Sequence, residues 1–296
     1  MRPGERGFLL LTSQLGDPQR KPLTVAQLRT LATRVRTAQR SAGDRELDMA
    51  DLRALGYGEE MAGRILALLA QEAALDHYLR QGRRSGCVPV TRVTEGYPAC
   101  LRTRLGLDSP GCLWAKGDIS LLEQPKIALV GSRDLNPENR RFAAEVGRQA
   151  ALQGYVLVSG NARGADRTAQ DACMDAGGKV ISILADRLDE KKQQENVLYL
   201  SEDGFDQPFS AQRALSRNRC IHALGEKTFV AQCTLESGGT WDGSVKNLRH
   251  GWSPVYVFAD GSGASAALDA MGALSVLTPM LSDIAALPVF QDSLFD

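Results

Sequence analysis

From Lys126 onward, apolar runs of strand length alternate with helical patterns, and this alternation constrains the fold more than any other feature of the 296-residue chain. The runs are Ile127–Val130, Val156–Ser159, Val180–Leu184, Thr228–Gln232 and Val255–Phe258. Between the first two, Asn136-Pro137-Glu138 offers an N-cap, a proline at the first helical position and an early acid. Phe142, Val146 and Ala150 then mark one face of a helix. Strand and helix in alternation predict an α/β fold: a mostly parallel sheet with helices on both faces. Ligands of such sheets bind beyond the carboxyl ends of the strands, so candidate functional residues are sought there.

The first strand runs into Val130-Gly131-Ser132-Arg133, and the second into Ser159-Gly160-Asn161-Ala162-Arg163-Gly164-Ala165-Asp166. Both are strand–glycine–helix junctions. Glycine permits close backbone approach, and the helix start beyond offers unpaired N–H groups with partial positive charge. Each junction adds an arginine that can fork onto a phosphate. Two such junctions in one sheet point to a phosphate site. The spacing fits neither G-x-G-x-x-G nor a Walker loop. Asp166 is expected to cap its helix rather than touch ligand. Arg217-Asn218-Arg219 falls on a helix before the fourth strand; arginines at i and i+2 leave the helix in different directions, so one can hold the fold while the other reaches the site. The fourth strand leads to Glu236-Ser237-Gly238-Gly239-Thr240, a third glycine turn with a hydroxyl, and Lys246 lies further along the following helix. The candidate phosphate or DNA contacts are therefore Gly131, Ser132, Arg133, Ser159, Gly160, Arg163, Gly164, Arg217, Asn218, Gly238, Gly239, Thr240 and Lys246.

The first half reads differently. Residues 24–40 place Val25, Leu28, Leu31, Ala32 and Val35 on one helical face after Thr24 as N-cap. A second helical region covers 49–81, with a Gly56-Tyr57-Gly58 turn in a helix-hairpin-helix-like pattern. Such a turn can present N–H groups to a phosphate, or simply close a packed hairpin. Glu59 and Glu60 repel phosphate and favour packing. Residues 82–125 carry turn signals and little periodicity. The expected division is a helical domain over 1–81, a connector over 82–125 that packs on the core domain, and the sheet domain over 126–296.

Lys+Arg and Asp+Glu are 35 each, which hides a split: 18 against 13 over residues 1–120, and 17 against 22 over 121–296. Nucleic-acid contact must then come from a few placed cations and not from a general basic field. The six cysteines form no C-x-x-C pair, and the three histidines stand at no zinc spacing. No metal, no cofactor and no catalytic constellation are expected. The run Phe8–Leu11 is too short for a signal-peptide core, and no stretch approaches the ~18 apolar residues of a membrane span. A cytoplasmic chain without membrane contact, its cysteines kept as reduced thiols, is the expectation.

In order, Val130-Gly131-Ser132-Arg133, Ser159-Gly160-x-Ala162-Arg163-Gly164-x-Asp166, Ser201-Glu202, Arg217-Asn218-Arg219 and Ser237-Gly238 resemble the bacterial DNA-processing protein DprA/Smf family. Tyr97-Pro98-x-x-Leu101 and Leu113-Trp114-x-Lys116-Gly117 are similar to the stretch preceding that family's Rossmann-like domain, and the hairpin at 49–66 to its small N-terminal helical domain. The resemblance covers about 50–285. It implies a Rossmann-like domain that binds single-stranded DNA without sequence preference, self-associates as a homodimer and assists loading of a RecA-type recombinase during transformation or recombination. Carried across, Gly131, Ser132, Arg133, Gly160 and Arg163 become phosphate contacts, and Arg217 and Asn218 shape the site. The sequence departs from the family pattern at Gln170, where a histidine is usual, and at Asp189–Glu195, which replaces a Tyr-Pro-x-x-Asn stretch. It departs again at Gly239-Thr240, where Thr-Ala is usual, and a winged helix after the last Rossmann element is not expected.

Two other functions compete. The same pocket can bind a free nucleotide as a signal in phage defence. A nucleotide N-glycoside hydrolase of the lonely-guy phosphoribohydrolase type would need a Pro-Gly-Gly-x-Gly-Thr-x-x-Glu turn. Gly238-Gly239-Thr240-Trp241-Asp242-Gly243 lacks its late glutamate, so no carboxylate is assigned to oxocarbenium stabilisation.

Overall fold

Alternate residues of strand β3 (Lys126–Val130) enter different cores: Ile127 and Leu129 face one, Ala128 and Val130 the other. The same period of two recurs in the neighbouring strands, so the sheet is buried on both faces and must carry helices on both. This computed structural model describes residues 1–38 and 47–289. The expected helix end at 39–40 and the last residues of the expected sheet domain lie outside them.

Among the described residues five helices come first: α1 (Pro3–Thr12), α2 (Val25–Thr37), α3 (Met49–Ala54), α4 (Glu59–Leu69) and α5 (Glu72–Arg84). Thr24 caps α2 as expected, its hydroxyl accepting the Gln27 N–H at 3.2 Å. The expected single helical unit over 1–81 divides its packing. Leu31, Leu52, Leu55, Ala62 and Ile65 form a small core of their own, whereas Leu9 and Leu10 of α1 and Leu75 and Tyr78 of α5 join the core of the sheet. There Tyr78 stacks on Phe205 at 4.5 Å and meets Trp114 edge-on at 5.1 Å, contacts worth about 0.5–1.5 kcal/mol each beyond area burial. Arg20, almost fully buried, joins the two cores through Gln71 Oε1 at 2.6 Å and the carbonyls of Ser13 and Leu10.

The stretch expected as a connector contributes β1 (Val88–Thr91), α6 (Ala99–Leu105) and β2 (Cys112–Lys116). Then follow β3, α7 (Pro137–Leu152), β4 (Val156–Ser159), α8 (Ala165–Asp175), β5 (Lys179–Ile183), β6 (Val197–Ser201), α9 (Ala211–Leu224), β7 (Thr228–Val230), α10 (Gly238–His250), β8 (Val255–Phe258), α11 (Gly263–Ala270) and β9 (Leu274–Val276). Among the described residues the sheet has nine strands in the order β1-β2-β6-β5-β4-β3-β7-β8-β9, parallel from β6 to β9, with β2 antiparallel to both β1 and β6. β6 is a further strand beyond those read from the sequence; its five residues are all buried. Helices α7 and α8, with α1 and α5, cover one face, and α6, α9, α10 and α11 the other.

The chain winds from β3 through β4 and β5 to β6, then returns to the far side of β3 as β7. The loops after β3 and β7 leave toward opposite faces at this reversal, which opens the crevice where doubly wound sheets take ligands. Among the described residues no helix is long and apolar enough to cross a membrane.

Candidate functional site

Three strand-end loops meet at the reversal because small residues let them touch. A Cβ on Gly131 would stand 2.5 Å from Ala165 Cβ and 3.3 Å from Ala231 Cβ, so only glycine lets the end of β3 pass between the start of α8 and the end of β7. The Ser132 N–H donates to Gln232 O at 2.8 Å, and Ser132 O accepts from the Ala165 N–H at 3.1 Å. Gly164, at φ 85°, lies beneath the Ser132 and Arg133 carbonyls, each 2.4 Å from where its Cβ would be. Arg133 stands exposed at the mouth.

The β4 loop is organised around a buried cation. A Cβ on Gly160 would fall 1.4 Å from Arg217 Nη1, so the guanidinium occupies the side-chain space of position 160. Arg217 Nη2 lies 4.0 Å from Asp166 Oδ2, and both side chains are more than nine-tenths buried. Asp166 Oδ2 also accepts the Ala162 N–H at 3.1 Å. Asp166 therefore pins the loop ahead of α8, while Gly164 holds the N-cap position where the sequence pointed to the carboxylate. Burial raises the Asp166 carboxyl pKa, opposed by Arg217, and burial lowers that of Arg217, opposed by Asp166; a guanidinium starts so high that it stays charged regardless. Arg217 Nε donates to no acceptor among the described residues. Ser159 does not reach solvent: its hydroxyl accepts from Gln170 Nε2 at 2.5 Å, deep between β4 and α8. Arg219 leaves α9 in another direction, to Glu202 at 2.7 Å and Asp108 O at 2.9 Å.

The third loop belongs to α10. Asn218 Nδ2 donates to Gly239 O at 3.1 Å and fixes that helix start. Ser237 holds the N-cap position but its side chain caps no N–H, which leaves the first turn of Gly238, Gly239 and Thr240 with its positive end toward the crevice. Lys246 is not brought to this cluster. It is exposed two turns along, paired with Asp242 at 2.8 Å.

Together these residues line two adjoining clefts. The first, about 420 Å³, is bounded by Gly131, Ser132, Arg133, Arg217, Asn218 and Gly238–Thr240. The second, about 310 Å³, holds Gly160, Asn161, Arg163, Asp186 and Phe209, and shares Arg133 and Arg217 with the first. Arg163 is three-quarters exposed and pairs with Asp134 at 2.9 Å, linking the β3 and β4 loops. Phe209 (58% exposed) and Leu215 (50% exposed) rim the clefts. Sequence reading missed both; their only signal is an isolated aromatic before the Ser210 N-cap of α9 and a leucine off the apolar face of that helix.

The clefts offer cations, backbone N–H groups and apolar rims. Their carboxylates are engaged, Asp166 as above and Asp186 with Lys191 at 2.7 Å. Burial pushes the Cys233 thiol up to about 11, so it stays protonated near neutral pH. The hairpin turn offers less. The N–H groups of Gly56 and Tyr57 donate to Arg53 O at 2.9 Å and Leu52 O at 3.0 Å, and Arg34 donates to Gly56 O at 2.8 Å while lying over the Tyr57 ring.

A family model described as DNA recombination-mediator protein A matches residues 89–246, which include β2 through most of α10. DNA processing protein DprA of Streptococcus pneumoniae is 34% identical over 142 residues, 44% of this chain and 50% of that protein. The DprA of Bacillus subtilis is 28% identical over 175 residues, 55% and 58% of the two chains. The matches thus span about half the length of these curated relatives. An X-ray structure of DprA from Streptococcus pneumoniae superposes with a TM-score of 0.72 at 24% identity, covering 93% of this chain and 95% of that one, a likeness of fold. A structure concerned with the single-stranded DNA binding mode of DNA processing protein A from Helicobacter pylori aligns with a TM-score of 0.54 at 25% identity, over 64% of this chain and 90% of that one. With the family model covering more than half of its residues, the chain belongs to the DNA recombination-mediator protein A family.

Proposed function

We propose that this protein binds single-stranded DNA through its two strand-end clefts, without sequence preference and without catalysis, in DNA processing or recombination. The observation that carries this reading is the position of Arg217: a buried guanidinium with an unpaired Nε, shared by both clefts and flanked by exposed Arg133 and Arg163. Cations, a helix start and glycine loops recognise phosphate, and phosphate carries no sequence information. Phe209 adds a ring face on which any base can stack, worth about 1–3 kcal/mol. The engaged carboxylates and the protonated Cys233 support a binding site and not a hydrolytic one. Family membership supports handing the bound strand to a RecA-type recombinase, from a homodimer in the cytoplasm.

The size of the first cleft favours a second reading, a free nucleotide held as a signal, because about 420 Å³ is ample for one small ligand. Competition separates the two. A labelled oligothymidine is bound to the protein and challenged with mono- and dinucleotides and with unlabelled oligomer. DNA binding predicts displacement by the oligomer at far lower concentration than by any nucleotide; the reverse order assigns the cleft to a nucleotide. Free base released from incubated nucleotide would instead make the protein a hydrolase.

A further inference from the structure

A third depression, about 460 Å³, continues from the second cleft, and Asn161 and Arg163 line both. Asn161 sits at the junction in a left-handed conformation, φ 61°, and its Oδ1 accepts from Arg167 Nη1 at 2.8 Å. Beyond it the groove is bounded by Arg167, Glu190, Lys191 and Lys192, with Tyr199 behind. Four cations, counting Arg163, thus face one carboxylate. Glu190 is held by Arg187 at 3.0 Å and Lys191 by Asp186 at 2.7 Å. Among the described residues the Arg167 guanidinium donates only to the neutral Asn161, and exposed Lys192 pairs with no carboxylate.

The segment that builds this wall is the polar run Asp189–Glu195, and the fold holds it in place. The Leu188 and Asp189 N–H groups both donate to Phe205 O, at 2.9 and 3.0 Å, Lys116 Nζ donates to Asp189 O at 3.0 Å, and Leu188 is fully buried. Lys191 and Lys192 are therefore presented on an anchored loop, and Arg167 on α8. Tyr199 is only 5% exposed, so the groove has no platform for a base. It suits a sugar-phosphate backbone.

We propose that this groove carries the phosphates of a single DNA strand after it leaves the second cleft, with Arg167 and Lys192 as sequence-independent contacts that lengthen the footprint. The proposal rests on DNA binding at the two clefts, and it adds a direction in which the strand continues: past Asn161, over α8 toward the 189–195 loop.

The test compares oligothymidines of about six and about twenty nucleotides, bound to the full chain and to Arg167→Glu, Lys192→Glu and the double variant, with melting followed in parallel. Wild type should bind the longer oligomer more tightly. The double variant should lose at least about tenfold on the longer oligomer, change by less than about twofold on the shorter one, and show a salt slope shallower by about 1.4, the loss of two single-strand phosphate contacts. A double variant that melts normally and binds the longer oligomer like wild type overturns the proposal. So does equal loss on both lengths, which would make the groove part of the central site. If wild type gains nothing from length, the groove fails while DNA binding at the clefts stands; if wild type binds neither oligomer, both fall.

Discussion

The guanidinium of Arg217 fills the space that a side chain at position 160 would occupy, with Nη1 1.4 Å from the Cβ that Gly160 lacks. Residues 57 positions apart in sequence thereby form one unit, and the shape of both clefts depends on it. Gly160→Ala must expel the guanidinium from its place beside Asp166. The expected cost is about 2 kcal/mol, the middle of the range for overpacking a close contact. Oligomer affinity should fall with it, since the clefts share Arg217. Denaturant unfolding together with anisotropy on labelled oligothymidine reads both. An alanine variant with wild-type stability would mean that Arg217 has another place to go.

His222 gives a pH signature. It is fully buried, its Nδ1 lies 3.1 Å from Asn247 Nδ2, and burial pushes its pKa down from 6.5 to about 3. The depressed value means that its contribution is present above pH 6.5 and is lost as pH falls, because the unfolded chain takes up a proton that the native state refuses. Between about pH 7.5 and about pH 5.5 the loss should reach about 1.4 kcal/mol. Asp166 and Glu202 act with the opposite sign, since burial raises both, and comparison with a His222 variant removes their share. Unfolding free energies at the two pH values, for wild type and His222→Gln, isolate the effect. The variant should lose the extra slope; an unchanged slope would assign it elsewhere.

Much of the candidate site was legible because strand-end glycines and helix starts are local signals. Gly131, Ser132, Arg133, Gly160, Arg163, Arg217, Asn218 and Gly238–Thr240 all come to the two clefts. The rest depended on distant contacts. Ser159 turns inward because Gln170, one helix away, takes its hydroxyl. Phe209 stays outside because none of the described residues covers it, which no periodicity can report. Strand β1 contains Pro89 and, among the described residues, pairs only with β2, and β2 reaches β6 across some eighty residues of chain; pairing of that range leaves no local trace. Most of the β-α alternation from Lys126 was legible because those strands are buried on both faces and so are mostly apolar, whereas β6 and β9 were not read.

The hairpin turn should be silent in DNA binding. Its Gly56 and Tyr57 N–H groups are bonded within the turn, and Arg34 covers it. Arg34→Ala is expected to leave oligothymidine affinity within about twofold, less than about 0.5 kcal/mol. A loss above about tenfold would restore the hairpin as a DNA clamp.

Lys246 should be equally silent. It sits two turns down α10, with Asp242 as its partner, an exposed i,i+4 pair worth about 0.3–0.5 kcal/mol. Lys246→Ala should change neither affinity beyond about twofold nor melting by more than that small energy. A marked loss of binding in the melting-competent variant would extend the DNA path along α10.

In the proposed function, exposed arginines at the strand ends hold phosphate at the clefts. The decisive measurement is a salt titration of oligothymidine affinity for wild type and for the Arg133→Ala/Arg163→Ala double variant, with matched duplex as competitor. Both side chains are exposed, and the Arg163–Asp134 pair is a surface one, so melting should stay within about 0.5 kcal/mol of wild type. Single-strand binding should weaken steeply with salt, duplex should compete poorly, and the double variant should bind at least about tenfold more weakly with a slope shallower by about 1.4. Wild-type affinity in the double variant, or affinity that ignores salt, would contradict it.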